Sequence, residues 1–187
     1  MKPTFYTRTG DDGTTAIYGQ KERLPKNHPR PDAYGTIDEA QSTLGIFRAV
    51  TNQTRTKEIL VRVEHDLYLM MSELAVADTV NLNIHKIDQS DIDWLESAAE
   101  EIGETTGAFK DFVLPGDTAS GAYAHLARTV VRRAERKVVA LHHRGELKNP
   151  FILRYLNRLS SVLFVLALYE DKMHGVENPT YAKNVQS

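Results

Sequence analysis

The chain has 187 residues, of which 41% are hydrophobic and 26% charged; its formal net charge is −2 and it contains no cysteine. A chain of this size buries roughly 70% of its unfolded surface, so the length suits one folded domain with a real core and excludes a disordered chain. The charge gives no global pull toward nucleic acid or an anionic membrane, and the missing thiols exclude disulfides, iron–sulfur ligation and thiolate zinc sites.

The opening "MKPTFYTRTG" has no apolar run of signal-peptide length. The longest apolar stretch, Val162–Tyr169, is far short of the ~20 residues that span a bilayer. The expectation is a soluble, cytoplasmic protein with neither membrane nor nucleic acid among its partners. Residues 1–30 predict an irregular segment, with only a hint of a short hairpin in the first 20. Within it, "TRTGDDGTT" (Thr7–Thr15) places two glycines, two aspartates and four threonines in nine residues. It is no Walker A loop, because no Gly-Lys-Ser/Thr follows, and it lacks the alternating oxygen ligands of an EF-hand. Its glycines would let backbone N–H groups approach an anion, its threonines add hydroxyl donors, and Asp11 and Asp12 are candidates to help hold a Mg²⁺. A polar turn is the plain alternative, and Lys26 in "RLPKNHP" is by default an exposed lysine.

Helical periodicity begins with "TIDEAQSTLGIFRAV", where Ile37, Ala40, Leu44 and Phe47 share a face and Thr36 with Glu39 reads as a capping box. A second helix is predicted over about 55–78, with Ile59, Val63, Leu67, Met70 and Leu74 on one stripe. A third follows in "DQSDIDWLESAAEEIG", with Ser90 as N-cap, Gly103 as stop and Trp94 as a packing residue. After "FVLPGD", a fourth runs over about 118–144 and ends at Gly145; a fifth begins after Pro150 and continues to about 174. These elements predict an all-α protein, an antiparallel five-helix bundle over about 36–174 within a single domain of residues 1–187.

Charge is segregated along these helices. From Glu58 to Glu104 twelve acids face two bases, a net of −10; from Arg128 to Arg158 nine bases face two acids, a net of +7. On helix four, Arg128, Arg132 and Glu135 lie within about 60° of one another at ~100° per residue. Glu135 is the only acid among five bases there. The strip reads either as a solvated face with weak intrahelical pairs or as a phosphate-binding surface, for which guanidinium forks are well shaped. On helix five, Arg154, Asn157, Arg158 and Ser161 form one polar stripe, and mid-helix Asn157 calls for either a buried amide partner or a ligand. No Ser/His/Asp or Cys/His pattern and no paired Glu-x-x-His motif is visible. The histidines, His142 and His143 included, read as charges at a helix C-terminus.

Six motifs occur in order: T-x-T-G-D-x-G-T-T, R-x-P-K, G-T-x-D-E, F-x-L-P-G, R-x-x-x-R-R-A-E-R and N-R-L-S. Together, over about residues 4–172, they resemble the PduO-type ATP:cob(I)alamin adenosyltransferases. The resemblance implies a five-helix bundle that assembles as a homotrimer with active sites between subunits. It implies transfer of the 5′-deoxyadenosyl group of ATP to the cobalt of cob(I)alamin with Mg²⁺, yielding adenosylcobalamin and triphosphate. A non-catalytic ATP- or corrinoid-binding bundle, acting as carrier or sensor, is the alternative.

By the same resemblance, Thr7, Arg8, Thr9, Gly10 and Thr15 form the ATP loop of one subunit and Lys26 reaches the polyphosphate. Arg132, Arg133, Glu135 and Arg136 complete the ATP site from the adjoining subunit with Asn157. Asp38 and Arg128 pair across the two subunits and, with Arg132, are the residues assigned to catalysis; Asp38 also suits the first turn of a helix. Phe112 lies beneath the corrin ring, where an apolar wall displaces the lower axial ligand and eases reduction to Co(I). A flavoprotein reductase is implied as electron donor. No metal ligands are assigned and no protein acid or base is expected to be essential, because the nucleophile is the cobalt itself. Two positions depart from the family: Asp117 replaces a second glycine after L-P-G and either alters corrin binding or caps helix four, and Ser161 replaces an acid after N-R-L-S.

Overall fold

The computed structural model describes residues 5–107 and 111–184; the outermost residues of the expected domain lie outside this range. Five helices and one small sheet make up the fold: α1 Pro29–Val50, α2 Thr54–Leu74, α3 Gln89–Thr106, α4 Ala119–His143 and α5 Pro150–Met173, with strands β1 Thr14–Thr15 and β2 Leu24–Pro25. The strands pair antiparallel, Thr14 opposite Pro25 and Thr15 opposite Leu24, so the hinted hairpin exists and reaches beyond residue 20. α4 packs against α1 and α5, α3 against α5, and α1 against α2. Every apolar residue expected on the α1 and α2 stripes is 5% exposed or less.

The boundaries differ from expectation, and local chemistry explains each difference. α1 starts seven residues before Thr36, with His28 as N-cap; its Nδ1 accepts from the Arg30 N–H at 3.2 Å. Pro29 and Pro31 then occupy the first turn, where a missing N–H costs nothing. Thr36 is therefore mid-helix, its hydroxyl donating to the Asp32 carbonyl at 2.7 Å, and Asp38 is not in a first turn. α2 stops at Leu74 because the next backbone groups serve another partner. The Tyr18 N–H donates to the Ala75 carbonyl at 3.0 Å, and the Ala77 N–H to the Tyr18 carbonyl at 2.8 Å.

α3 is capped by Asp88, whose carboxylate accepts from the Ser90 N–H at 2.8 Å, rather than by Ser90. It runs past Gly103 to Gly107, which takes the positive φ of 75° that ends the helix. Thr118 caps α4, its Oγ1 accepting from the Gly121 N–H at 2.9 Å, so Asp117 does not serve as that cap. α5 is long and apolar enough to cross a membrane by composition, yet 56% of its most apolar stretch is buried inside the fold, as befits a core helix.

Two polar knots lie among the apolar residues. The buried Glu170 of α5 accepts from the hydroxyls of Thr51 and Thr56, each at 2.7 Å, joining the α1–α2 connection to α5. Asp66 of α2 accepts from the fully buried Tyr155 hydroxyl at 2.7 Å and from Arg62 Nε at 3.1 Å, while Arg62 also reaches Asp91 at 2.5 Å. Burial pushes the Asp66 carboxyl up, against the opposing pull of Tyr155 and Arg62. Trp94, half-buried as a packing residue should be, lies under the Arg62 guanidinium at 5.1 Å. Tyr155→Phe is expected to cost about 1–3 kcal/mol in a urea melt, because it strips a donor from a buried carboxylate.

Candidate anion and corrin site

The residues singled out by sequence fall into three groups. In the first, the hairpin folds "TRTGDDGTT" into a tight loop. Asp12 accepts from the Thr14 N–H at 2.9 Å and from its hydroxyl at 2.7 Å, and these bonds hold its carboxyl below the usual range. Thr7 and Thr9 hydroxyls meet at 2.9 Å, and between them Arg8 takes a left-handed φ of 61°, an uncommon conformation for a side chain of its size. A Cβ on Gly10 would stand 3.2 Å from Lys26 Nζ and 3.1 Å from the Thr14 carbonyl, so glycine here admits the lysine to the loop. The Lys26 N–H also donates to the Gly13 carbonyl at 2.9 Å.

Thr7, Arg8, Thr9, Gly10, Thr15 and Lys26 thus share one hairpin. A further residue organises it: Arg23 donates to the Thr14 hydroxyl at 2.6 Å and to the carbonyls of Thr9 at 2.8 Å and Thr14 at 3.0 Å. It opens the R-x-P-K motif, so its spacing to Lys26 was the available signal. Asp12 spends one oxygen on the turn, leaving its other oxygen and the exposed Asp11 facing solvent. A Mg²⁺ that keeps its waters and binds phosphate needs only one or two carboxylates, and this pair fits such an ion.

The second group lies on α4 and α5, and packing has sorted the cations. Arg133 pairs with Glu39 of α1, Lys137 with Asp32 of α1 at 2.6 Å, and Arg158 with Glu96 of α3 at 2.7 Å. Among the described residues, Arg128, Arg132, Arg136 and Arg154 have no acidic partner. Arg136 donates only to the Arg132 carbonyl, at 3.0 Å, and Arg154 stacks over Phe151 at 5.3 Å. Asn157 is exposed and donates to Glu135 at 2.8 Å, which ties the N-R-L-S motif to R-R-A-E-R. The exposed Ser161 makes no polar contact among the described residues.

Arg128 is half-buried and its Nε has no hydrogen-bond partner among the described residues; burial, then the neighbouring Arg132, hold it below the usual guanidinium range. One turn earlier, His125 is 3% exposed with both ring nitrogens unpartnered, and it meets Phe164 edge-on at 5.9 Å. Burial, then Arg128, keep it below the usual imidazole range. Unlike His142 and His143, which sit exposed in the last turn of α4, it is no helix-terminal charge. A concentration of guanidinium groups without carboxylates is suited to a polyphosphate.

The third group is Phe112 in the loop before α4, 68% exposed. Asp38 stands exposed on α1, and nothing among the described residues pairs it with Arg128. Neither hydrogen bond nor ion pair among them joins the hairpin to the α4–α5 strip.

The cobalamin adenosyltransferase family matches residues 5–170. The chain belongs to that family. A corrinoid adenosyltransferase of Citrobacter freundii is 39% identical over 169 residues, covering 89% of this chain and 94% of its own. The corrinoid adenosyltransferase PduO of the same organism is 35% identical over 168 residues, and the chain spans only 50% of that longer relative. Among solved structures, a variant PduO-type ATP:corrinoid adenosyltransferase from Lactobacillus reuteri, complexed with cobalamin and ATP, superposes with a TM-score of 0.86 at 33% identity over 97% of each chain. The family match spans all three groups, from the hairpin through the Phe112 loop to Asn157.

Proposed function

We propose that the chain transfers the 5′-deoxyadenosyl group of ATP to the Co(I) centre of cob(I)alamin. The cobalt electron pair attacks C5′, the C5′–oxygen bond breaks, and triphosphate leaves with that bond's electrons. The protein then has three tasks: to bind the two substrates, to align C5′ with cobalt, and to neutralise the departing polyanion. The hairpin with Thr7, Arg8, Thr9, Gly10, Thr15 and Lys26 holds one side of ATP. Arg132, Arg133, Glu135, Arg136 and Asn157 hold the other, and Phe112 covers the corrin face. Asp11 and Asp12 are the candidates for holding Mg²⁺, which when bound shares the charge of the phosphates.

The observation that carries this reading is the set of arginines, Arg128, Arg132 and Arg136, that folding leaves without acids beside the Asn157–Glu135 bond. The same reading includes a single domain built as an antiparallel five-helix bundle, working in the cytoplasm and receiving its electron from a flavoprotein reductase. It also includes a homotrimer with its sites between subunits. The trimer is supported by Arg128, whose Nε lacks a partner among the described residues, and by the exposed Asp38, which makes no ion pair among those residues and would meet it from a neighbouring subunit. Arg128 and Asp38 then act with Arg132 in catalysis by joining the two halves of the site.

The test is anaerobic incubation with ATP, Mg²⁺ and chemically reduced cob(I)alamin, following the corrin absorbance. Saturable formation of a light-sensitive alkylcobalamin with release of triphosphate is the expected result. Binding of both substrates without turnover would instead make the chain a carrier or sensor.

A further inference from the structure

The last described residues fold back onto the loop that carries Phe112. The Leu114 N–H donates to the Thr180 carbonyl at 2.8 Å and the Ala182 N–H to the Phe112 carbonyl at 2.9 Å, flanking an antiparallel bridge between Val113 and Tyr181. Lys183 pairs with Asp111 at 2.9 Å. At the other end of the loop, Asp117 turns both oxygens to Thr180: Oδ2 accepts from its N–H at 2.8 Å and Oδ1 from its hydroxyl at 2.6 Å. The loop is therefore held on both sides of Phe112, while the Phe112 ring itself stays 68% exposed.

Behind this C-terminal segment lies a cavity of about 470 Å³, lined by Leu168, Lys172, Val176, Pro179 and Tyr181. The cavity leaves that side of the segment without close packing, and its bonds to the loop hold the other side. Those bonds also hold the loop, together with the burial of Val113 at 3% exposure. The start of α4 makes no competing demand on Asp117, since Thr118 already supplies the cap.

We propose that Asp117 is a positioning residue for the corrinoid. Through Thr180 it clamps the C-terminal segment to the Phe112 loop and so presents the aromatic ring to the incoming corrin. The proposal rests on the adenosyltransferase reading of Phe112, and it gives the family departure at this position a role.

Two variants test it. Asp117→Ala removes the clamp; Thr180→Val removes one of its bonds but leaves the carboxylate at the start of α4. The loss of a charge-assisted bond predicts a rise of about tenfold in the KM for cob(II)alamin for Asp117→Ala, and a smaller rise for Thr180→Val. The KM for ATP should stay within about twofold. Amide exchange at Leu114 and Ala182 should quicken in both variants, with α4 and α5 unchanged. Equal changes in both KM values, or unaltered exchange at Leu114 and Ala182, would overturn the clamp. A wild-type chain without turnover would instead remove the transferase reading, and the exchange measurement would still decide whether Asp117 holds the loop.

Discussion

Arg132→Ala is expected to lower turnover by about 10²–10³-fold at saturating ATP and cob(I)alamin, the scale for deleting a donor aimed at a developing anion. The fold should be unaffected. Arg132 is exposed, its side chain has no bonded partner among the described residues, and it holds Arg136 through its backbone carbonyl, which alanine keeps. A melting curve should therefore match the wild type to within about 0.5 kcal/mol. Arg133→Ala provides the contrast, since Arg133 is already engaged with Glu39 of α1 and its loss would also remove that contact between helices. Arg132→Lys should recover only part of the loss, because an ammonium keeps the charge but not the bidentate fork. Near-normal turnover of Arg132→Ala, measured as initial rates without oxygen, would remove this residue from the mechanism.

Phe112→Ala is expected to separate two assays that use the same enzyme. Starting from cob(II)alamin and a reductant, activity should fall about 10- to 100-fold, the equivalent of losing one buried aromatic contact in the corrin complex. Starting from pre-reduced cob(I)alamin, the fall should be severalfold smaller, because in the proposed role the apolar wall eases reduction more than it aids alkyl transfer. The free protein should tolerate the change, since the ring is already 68% exposed and contributes little to the core. Equal losses in the two assays would leave Phe112 as a simple binding contact and contradict the proposed role.

Asp117→Ala acts upstream of the same ring. If the clamp works as proposed, it should weaken corrinoid binding and show the assay-specific pattern of Phe112→Ala in milder form, because the aromatic ring is still present but less well held. Tyr155→Phe should affect neither assay beyond its cost in stability, as its partner Asp66 lies in the core.

What the sequence alone determined was the helical core and which residues are candidates for the site. A 3.6-residue period leaves one face for burial, and Ile37, Ala40, Leu44 and Phe47 are fully buried for that reason. The hint of a short hairpin was also there, although its pairing of Thr14 with Pro25 reaches beyond residue 20, and the i, i+4 spacing of Arg132 and Arg136 placed both on one side of α4. Only the tertiary structure decided where α1 begins and where α2 ends, because Pro29 and Pro31 interrupt the periodic signal and the Tyr18 backbone competes for Ala75 and Ala77. It also decided which cations are free. Glu39, which engages Arg133, lies 94 residues away in the chain, and the Thr180 that occupies Asp117 lies 63 away. Contacts at that separation carry no periodic signature, since they arise only when folded elements meet, so sequence could name the arginines and the aspartate but not their partners.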